Sequence, residues 1–513
     1  MNTLEERYSG MIRGRLECLD RIIVYGTLRR LSHVGAVAGE LGRLGLGVFE
    51  IGTFAQPLRE AVRARAEELA QKHAVAIEFV RDWRIKKEAL AQERLRQRGE
   101  HPGLVCILSA MEGCTTFEPR KGGGPKKQPW LKTTTGRCLH YYYYFYDEDL
   151  GLIHLRVPTW LPMRLQFHLN GHGWLARRLQ QAGTTCAVED NAIVGAGSWE
   201  QAAELSRQPP MEWLEQRLQS YVERCCPQAA RYGGYYLTLA QVELSLDLVF
   251  EQEQMAMEVC AQLTRQAVLL ARAGEVARFF GHEFSEQAEA TSQFKTIQEG
   301  VLRIRHILGN QSLKLYNKGR VLRIEATTHE VRFFKHYREV AKRDGTTEWK
   351  IAPLKSSLYS LGTLFGLLAQ SCRRYLQWLS RLEDPHIGRH QLDQITRPKR
   401  DENQRSWRGF NFFAAEDHQA LCTLLQGTGL IAGWTNRRLR AALGGQKTSS
   451  QISRLLRRLR EHGLIRRVHK TFKYYLTAAG QCAVIAAEKL RSHLLIPTLN
   501  AACSSPVSRA PCN

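Results

Sequence analysis

The run Ser449-Ser450-Gln451-Ile452-Ser453-Arg454-Leu455-Leu456-Arg457-Arg458-Leu459, closed by His462-Gly463-Leu464-Ile465, decides the architecture of the carboxy-terminal part of this chain. Ile452, Leu455, Leu456 and Leu459 recur at the i, i+3, i+4, i+7 spacing of one helix face, so a helix over 449–462 buries that stripe. Gly463 supplies the residue type that ends such a helix. Beyond it, 464–468 and 472–476 alternate as two short strands joined by His469-Lys470-Thr471, and Thr477 caps a further helix. Upstream, 414–425 and 435–443 carry helical patterns, and a turn holding Gly444 and Gly445 separates them from the quoted run. The predicted order over 406–495 is three helices, a two-stranded wing and a last helix.

Turning the quoted helix by about 100° per residue sets Ser450, Arg454, Arg457 and Arg458 opposite the apolar stripe. The wing adds Arg466, Arg467, Lys470 and Lys473. Residues 395–495 hold 19 Lys plus Arg against 6 Asp plus Glu, so more than half of the chain's net charge of +23 lies there. Such a surplus calls for a polyanion, and nucleic acid is the commonest one inside a cell. In a helix-turn-helix, arginines of the third helix reach guanine edges or phosphates in the major groove, and wing cations reach the flanking backbone. The segment resembles the winged helix-turn-helix domain of bacterial regulators of the MarR type. That likeness implies a fold of this kind, double-stranded DNA as partner, and the eight polar residues just named as the contact set. Two-fold pairing is common among winged helices, so a homodimer is among the assemblies it allows.

Working outward, 20–111 alternates short apolar runs (21–25, 47–51, 75–80, 104–108) with helical patterns (57–73, 82–98), the signature of an α/β layer with parallel strands. The stretch 115–137, with Lys121-Gly122-Gly123-Gly124-Pro125-Lys126-Lys127, reads as a basic surface loop, and 138–146 and 152–157 as a hairpin. Tyr141-Tyr142-Tyr143-Tyr144-Phe145-Tyr146 reads as a strand with one buried and one half-buried face. Asn170-Gly171-His172-Gly173 reads as a turn carrying a structural histidine. After Pro209-Pro210 come a strand over 235–250, a helix over 251–272, β-rich sequence over 296–337, a helix over 357–382 and a polar linker over 384–408. The expected fold class is α+β multidomain. It comprises an α/β amino-terminal domain over 1–208, a mixed α+β middle domain over 209–395, the winged helix over 406–495 and a disordered tail over 496–513.

With 43% apolar and 9% aromatic residues the chain fills real cores, which excludes a disordered polymer. No run approaches the roughly 18 apolar residues of a membrane span. The first ten residues carry charges where a secretory signal has its apolar core, and the 13 cysteines include no C-x-x-C pair. A cytoplasmic, reducing setting without membrane contact is expected.

In Val242-Glu243-Leu244-Ser245-Leu246-Asp247-Leu248, Glu243 and Asp247 share one strand face, and in Val321-Leu322-Arg323-Ile324-Glu325 so do Arg323 and Glu325. Two acidic strands brought together offer oxygen ligands to a divalent cation, which phosphodiester chemistry usually requires. Combined with Leu313-Lys314-Leu315-Tyr316-Asn317-Lys318, the pattern resembles rolling-circle replication initiators, a family that nicks DNA with a tyrosine and a metal ion. The likeness implies Glu243, Asp247 and Glu325 with Mg²⁺ or Mn²⁺, and a tyrosine such as Tyr316 or Tyr337 as nucleophile. Where that family carries its tyrosine this chain has Arg303-Ile304-Arg305-His306-Ile307, and no His-hydrophobe-His triplet is present. Through almost its whole length the chain further resembles a group of large bacterial proteins ending in a MarR-like winged helix, on stretches such as Arg156-Val157-Pro158-Thr159-Trp160 and Phe333-Phe334-Lys335-His336. That second likeness implies no particular activity.

Neither a phosphate-loop spacing nor a Gly-x-Ser-x-Gly elbow occurs, and no other cofactor is called for. The expected function is recognition of duplex DNA by the winged helix in a protein that handles plasmid or mobile-element DNA. The alternatives are a MarR-like transcriptional regulator with a large sensor portion, and a metal-dependent nicking initiator or transposase. Single-stranded nucleic acid, stacking on the aromatic strand, is a further partner class.

Overall fold

Strand-forming alternation extends well past the short apolar runs that announce it. In the computed structural model, which describes residues 3–82, 84–122, 128–206, 210–283, 293–342, 344–383, 385–469 and 471–504, the chain is α+β and divides into two units, 1–383 and 384–513. The strands of the first unit are β1 (Ile12–Thr27), β2 (Ile77–Phe79), β3 (Gly103–Arg120), β4 (Trp130–Asp147), β5 (Gly151–Pro158), β6 (Leu165–Asn170), β7 (Cys186–Glu189), β8 (Ala192–Ala196), β9 (Tyr236–Phe250), β10 (Phe294–Gln298), β11 (Arg303–Leu308), β12 (Gln311–Lys318), β13 (Val321–Thr328), β14 (Lys335–Ala341) and β15 (Thr347–Pro353). Eleven of them form one sheet, in the order β10-β11-β12-β13-β9-β1-β6-β5-β4-β3-β2.

This sheet corrects several expectations. Its neighbours are antiparallel except for β2 on β3, so the amino-terminal part is not a parallel α/β layer. The boundary expected near 208 is absent, because β9 pairs with β1 on one side and β13 on the other, joining the expected first and second domains in one sheet. Residues 47–51 are not a strand. Val48–Glu50 is a single 3-10 turn that leads into the helix Ile51–Lys72, whose Phe54, Leu58, Val62, Ala66 and Leu69 are buried at helical spacing. The loop expected over 115–137 is shorter, since β3 and β4 stay paired out to Arg120 and Trp130; Gly123, Gly124, Pro125, Lys126 and Lys127 lie outside the described residues.

One face of the sheet carries the main core. Leu244, Leu246 and Leu248 of β9 pack there with Leu263, Leu368 and Tyr375 from the helices Glu253–Leu270 and Leu361–Glu383. Tyr141, Tyr143 and Phe145 join this core, and Tyr142, Tyr144 and Tyr146 pack with Ala91 and Leu95 of the helix Lys87–Arg98 on the other face, so the aromatic strand is buried on both sides. A second cover on that face, the helix Gly171–Gln181 with the hairpin β7–β8, buries Leu16 and Cys18. Among the described residues, no helix is long and apolar enough to cross a membrane.

The second unit contains the helices Pro385–Thr396, Ala415–Leu424, Gly427–Ala432, Asn436–Ala442, Ser449–Glu461 and Ala478–Lys489, with hairpins β16 (Lys399–Arg400)–β17 (Ser406–Trp407) and β18 (Ile465–Arg467)–β19 (Tyr474–Leu476). The expected linker over 384–408 is thus partly helical. The tail is also helical where described, over Ile496–Ser504, and 505–513 lie outside the described residues. Thr448 and Gln451 close a capping box at the start of Ser449–Glu461, and Gly463 at φ 73° follows its end. Ile452, Leu456 and Leu459 pack on Leu421, Leu424, Trp434, Leu464 and Val484.

Candidate functional site

Between the two covers of the first unit the sheet carries a band of largely buried polar side chains, and the sequence dictates which. On β9 the alternation that buries Leu244 and Leu246 turns Glu243, Ser245 and Asp247 to the opposite face. Pairing then sets Asp247 against Arg323 and Ser245 against Glu325 on β13, and Arg323 against Tyr316 and Glu325 against Lys314 on β12. On β1 the register with β9 jumps between Leu19 and Ile22, a bulge that holds Asp20 and Arg21. Bulges re-aim side chains in this way, and Asp20 is brought into the same cluster.

The inner layer is an ion pair with no exposure. Arg323 Nε and Nη2 donate to the two oxygens of Asp247, each at 2.7 Å. His172 lies over the pair, with Nε2 at 3.1 Å from Arg323 Nη2 and 3.6 Å from Asp247 Oδ2, and Nδ1 at 3.2 Å from Asp20 Oδ1. Its position depends on Gly171, since a Cβ there would stand 1.9 Å from the Leu19 carbonyl oxygen at the bulge. Asn170 caps the helix by accepting from the amides of His172 and Gly173, so the expected turn is the start of a helix. Burial pushes the His172 imidazole down, as does Arg323, but the hydrogen bonds to Asp20 and Asp247 outweigh both and raise it.

The outer layer is a carboxylate trio. Asp20, Glu243 and Glu325 each offer an oxygen, all within 4.8 Å of one another. Tyr316 Oη donates to Glu325 Oε2 at 2.9 Å, Lys314 pairs with the other oxygen, and Arg21 lies 3.8 Å from Glu243. Glu243 and Glu325 therefore meet as expected, but Asp247 does not join them: Arg323 holds it in the layer behind, and Asp20 takes its place. Tyr337 is exposed on β14 and lines no part of this cleft. Burial and the neighbouring Glu325 raise the Glu243 carboxyl against the pull of Lys314 and Arg21. Burial also opposes ionisation of Asp20, yet His172, Arg323 and Lys318 keep it well below the usual carboxylate range. Tyr316 is raised by burial and by Glu325.

Around these groups the cleft encloses about 1040 Å³, lined further by Arg21, Lys86, Lys87, Arg303, Arg305 and Lys318. Three oxygen donors suit a hard divalent cation such as Mg²⁺ or Mn²⁺, and the cationic rim suits a phosphate ester beside it. The sequence carried a signal for Asp20 and Arg21, a charged pair set between Leu19 and Ile22 of an apolar strand, but nothing local tied it to β9.

In the second unit Ser450, Arg454, Arg466, Arg467 and Lys473 are exposed. Arg457 and Arg458 are not projected as expected. Arg458 donates to both oxygens of Asp417, at 2.8 and 2.9 Å, and to the carbonyls of Arg408 and Gly409, with its guanidinium 3.8 Å from the Phe410 ring centroid. Arg457 pairs with Asp401 at 3.0 Å and lies over Trp407. The physical reason is that the segment ahead of Ala415–Leu424, with Asp401, Trp407 and Phe410, and the first turn of that helix, with Asp417, answer the charges of Arg457 and Arg458. Lys470 lies outside the described residues.

No protein-family model, curated protein or solved structure matches the chain.

Proposed function

We propose that the chain is a DNA-binding protein whose second unit is a winged helix-turn-helix. It docks on duplex DNA through the first half of Ser449–Glu461 and the β18–β19 wing, in a protein that handles plasmid or other mobile-element DNA. The observation that carries this is the exposure of Arg454, Arg466, Arg467 and Lys473, none ion-paired to a described carboxylate, on the two elements that face groove and backbone in such modules. Arg457 and Arg458 drop out of the contact set and act as struts. In a fluorescence-anisotropy titration of the whole protein, duplex affinity falls steeply with salt. Arg454→Ala costs ~1–3 kcal/mol at a site selected from random duplex, whereas Lys473→Ala weakens every duplex alike and flattens the salt slope. Failure to retain duplex at low salt overturns this function.

The trio Asp20, Glu243 and Glu325 beside Tyr316 favours a second function, metal-dependent nicking of DNA by the first unit. These carboxylates would hold Mg²⁺ or Mn²⁺, which supplies charge neutralisation at a phosphodiester. Arg21, Lys314 and Lys318 would bind the phosphate, and Glu325 is placed to accept the Tyr316 proton. Supercoiled plasmid with Mn²⁺ then yields open circle, and Asp20→Asn or Glu243→Gln abolishes it. Plasmid left intact, with duplex binding retained, leaves a transcriptional regulator.

A further inference from the structure

The DNA-binding proposal leaves unused a mixed donor set in the second unit. His418 and Cys422 stand four residues apart on Ala415–Leu424 and so share a helix face. Glu488 meets them from Ala478–Lys489. Cys422 Sγ lies 3.4 Å from His418 Nε2 and 3.2 Å from Glu488 Oε2, and His418 Nε2 is hydrogen-bonded to the same carboxylate oxygen. One atom from each residue falls within 4.8 Å of the others.

We propose that His418, Cys422 and Glu488 form a binding site for a borderline-soft divalent ion of the zinc class. Nitrogen, sulfur and oxygen donors at ordinary zinc bond lengths span tetrahedral edges of about 3.3–3.6 Å, and the sulfur–nitrogen separation of 3.4 Å already fits. Ser492 Oγ donates to Glu488 Oε1 at 2.5 Å, which leaves Oε2 for the thiol and imidazole, the kind of outer hydrogen bond that orients metal ligands. All three side chains are half-buried, so a fourth position can take water. Sulfur selects this class of ion over the hard cations suited to the all-oxygen trio of the first unit.

On binding, the Cys422 thiol loses its proton to buffer and forms the sulfur–metal bond, His418 coordinates through Nε2 with its proton on Nδ1, and Glu488 enters as carboxylate. A cysteine thiol ordinarily keeps its proton near neutrality and binds metal as thiolate, so one proton per ion is released.

The test uses the whole protein, stripped with chelator, and Co²⁺ alone as the probe. One equivalent develops a sulfur-to-cobalt charge-transfer band with the visible bands of a tetrahedral ion, Zn²⁺ bleaches both, and calorimetry in two buffers counts one proton released. Cys422→Ser abolishes the charge-transfer band, and Glu488→Gln lowers Zn²⁺ affinity by at least about tenfold. Absence of the band in the unsubstituted protein overturns the site, as does its survival in Cys422→Ser, which would assign it to another of the 13 cysteines. Should Cys422→Ser not fold, Glu488→Gln decides: unchanged Zn²⁺ affinity overturns the proposal. The site stands whether or not the protein binds DNA.

Discussion

Asp247 and Glu243 sit four residues apart on the same strand face, yet their neighbours give them opposite characters. Asp247 is fully buried and lowered despite that burial, because Arg323 and His172 compensate its charge; Glu243 is raised because Glu325 crowds it. Removing the charge of Asp247 strands a guanidinium with no exposure, so Asp247→Asn is expected to cost ~3–5 kcal/mol in urea denaturation. Glu243→Gln relieves a carboxylate repulsion and is expected to cost under about 1 kcal/mol. Similar losses for both would show that the cleft does not have two layers. Gly171→Ala is expected to lose ~1–3 kcal/mol by overpacking, because the added carbon meets backbone at Leu19, which cannot swing aside.

At the scale of elements, the helix Ser449–Glu461 separates a charge that faces solvent, Arg454, from charges that brace the unit, Arg457 and Arg458. Arg458→Ala leaves Asp417 buried without its main partner, so it is expected to lower the stability of the second unit by ~2–4 kcal/mol. Arg454→Ala is expected to change stability by less than about 0.5 kcal/mol while weakening duplex binding. Urea melts beside the anisotropy titrations check both. The helix, Gly463 after it and the strands β18 and β19 were legible in the sequence because each rests on local patterning and turn chemistry. Which arginines face solvent was not, because Asp401 comes from an irregular segment that leaves no periodic trace, and the pairing of Asp417 with Arg458 is set by how two helices meet, not by local pattern. The cleft divides in the same way. Alternation on β9 and β13 disclosed Glu243 and Glu325, whereas Asp20 depends on a bulge and His172 on a close approach at Gly171, both products of pairing between distant segments.

The whole molecule has two units with separate cores, so calorimetry is expected to resolve two transitions. Enthalpy scales with chain length, at about 0.7 kcal/mol per residue, which assigns the larger transition to 1–383. His140, His168 and His306, all in that unit, are each pushed from near 6.5 down to about 4, chiefly by burial. Between those values the unfolded chain binds more protons than the folded one. Their contribution is therefore complete above pH 6.5 and lost on acidification toward 4, by about 3 kcal/mol for the fully buried His306. His172, which is raised, acts in the opposite sense, stabilising at low pH and fading as pH climbs through its folded value. Moving from pH 7.5 to 5 is expected to lower the larger transition, and His306→Gln to reduce that sensitivity; equal movement of both transitions would refute the assignment. The extent of this unit could not be read locally, since β1 and β9 are joined only by pairing across most of its length. That pairing has a consequence for synthesis. A ribosome that stalls ahead of Tyr236 releases a product holding Asp20 and His172 but neither β9 nor β13 to receive them, so fragments inherit no working half of the cleft.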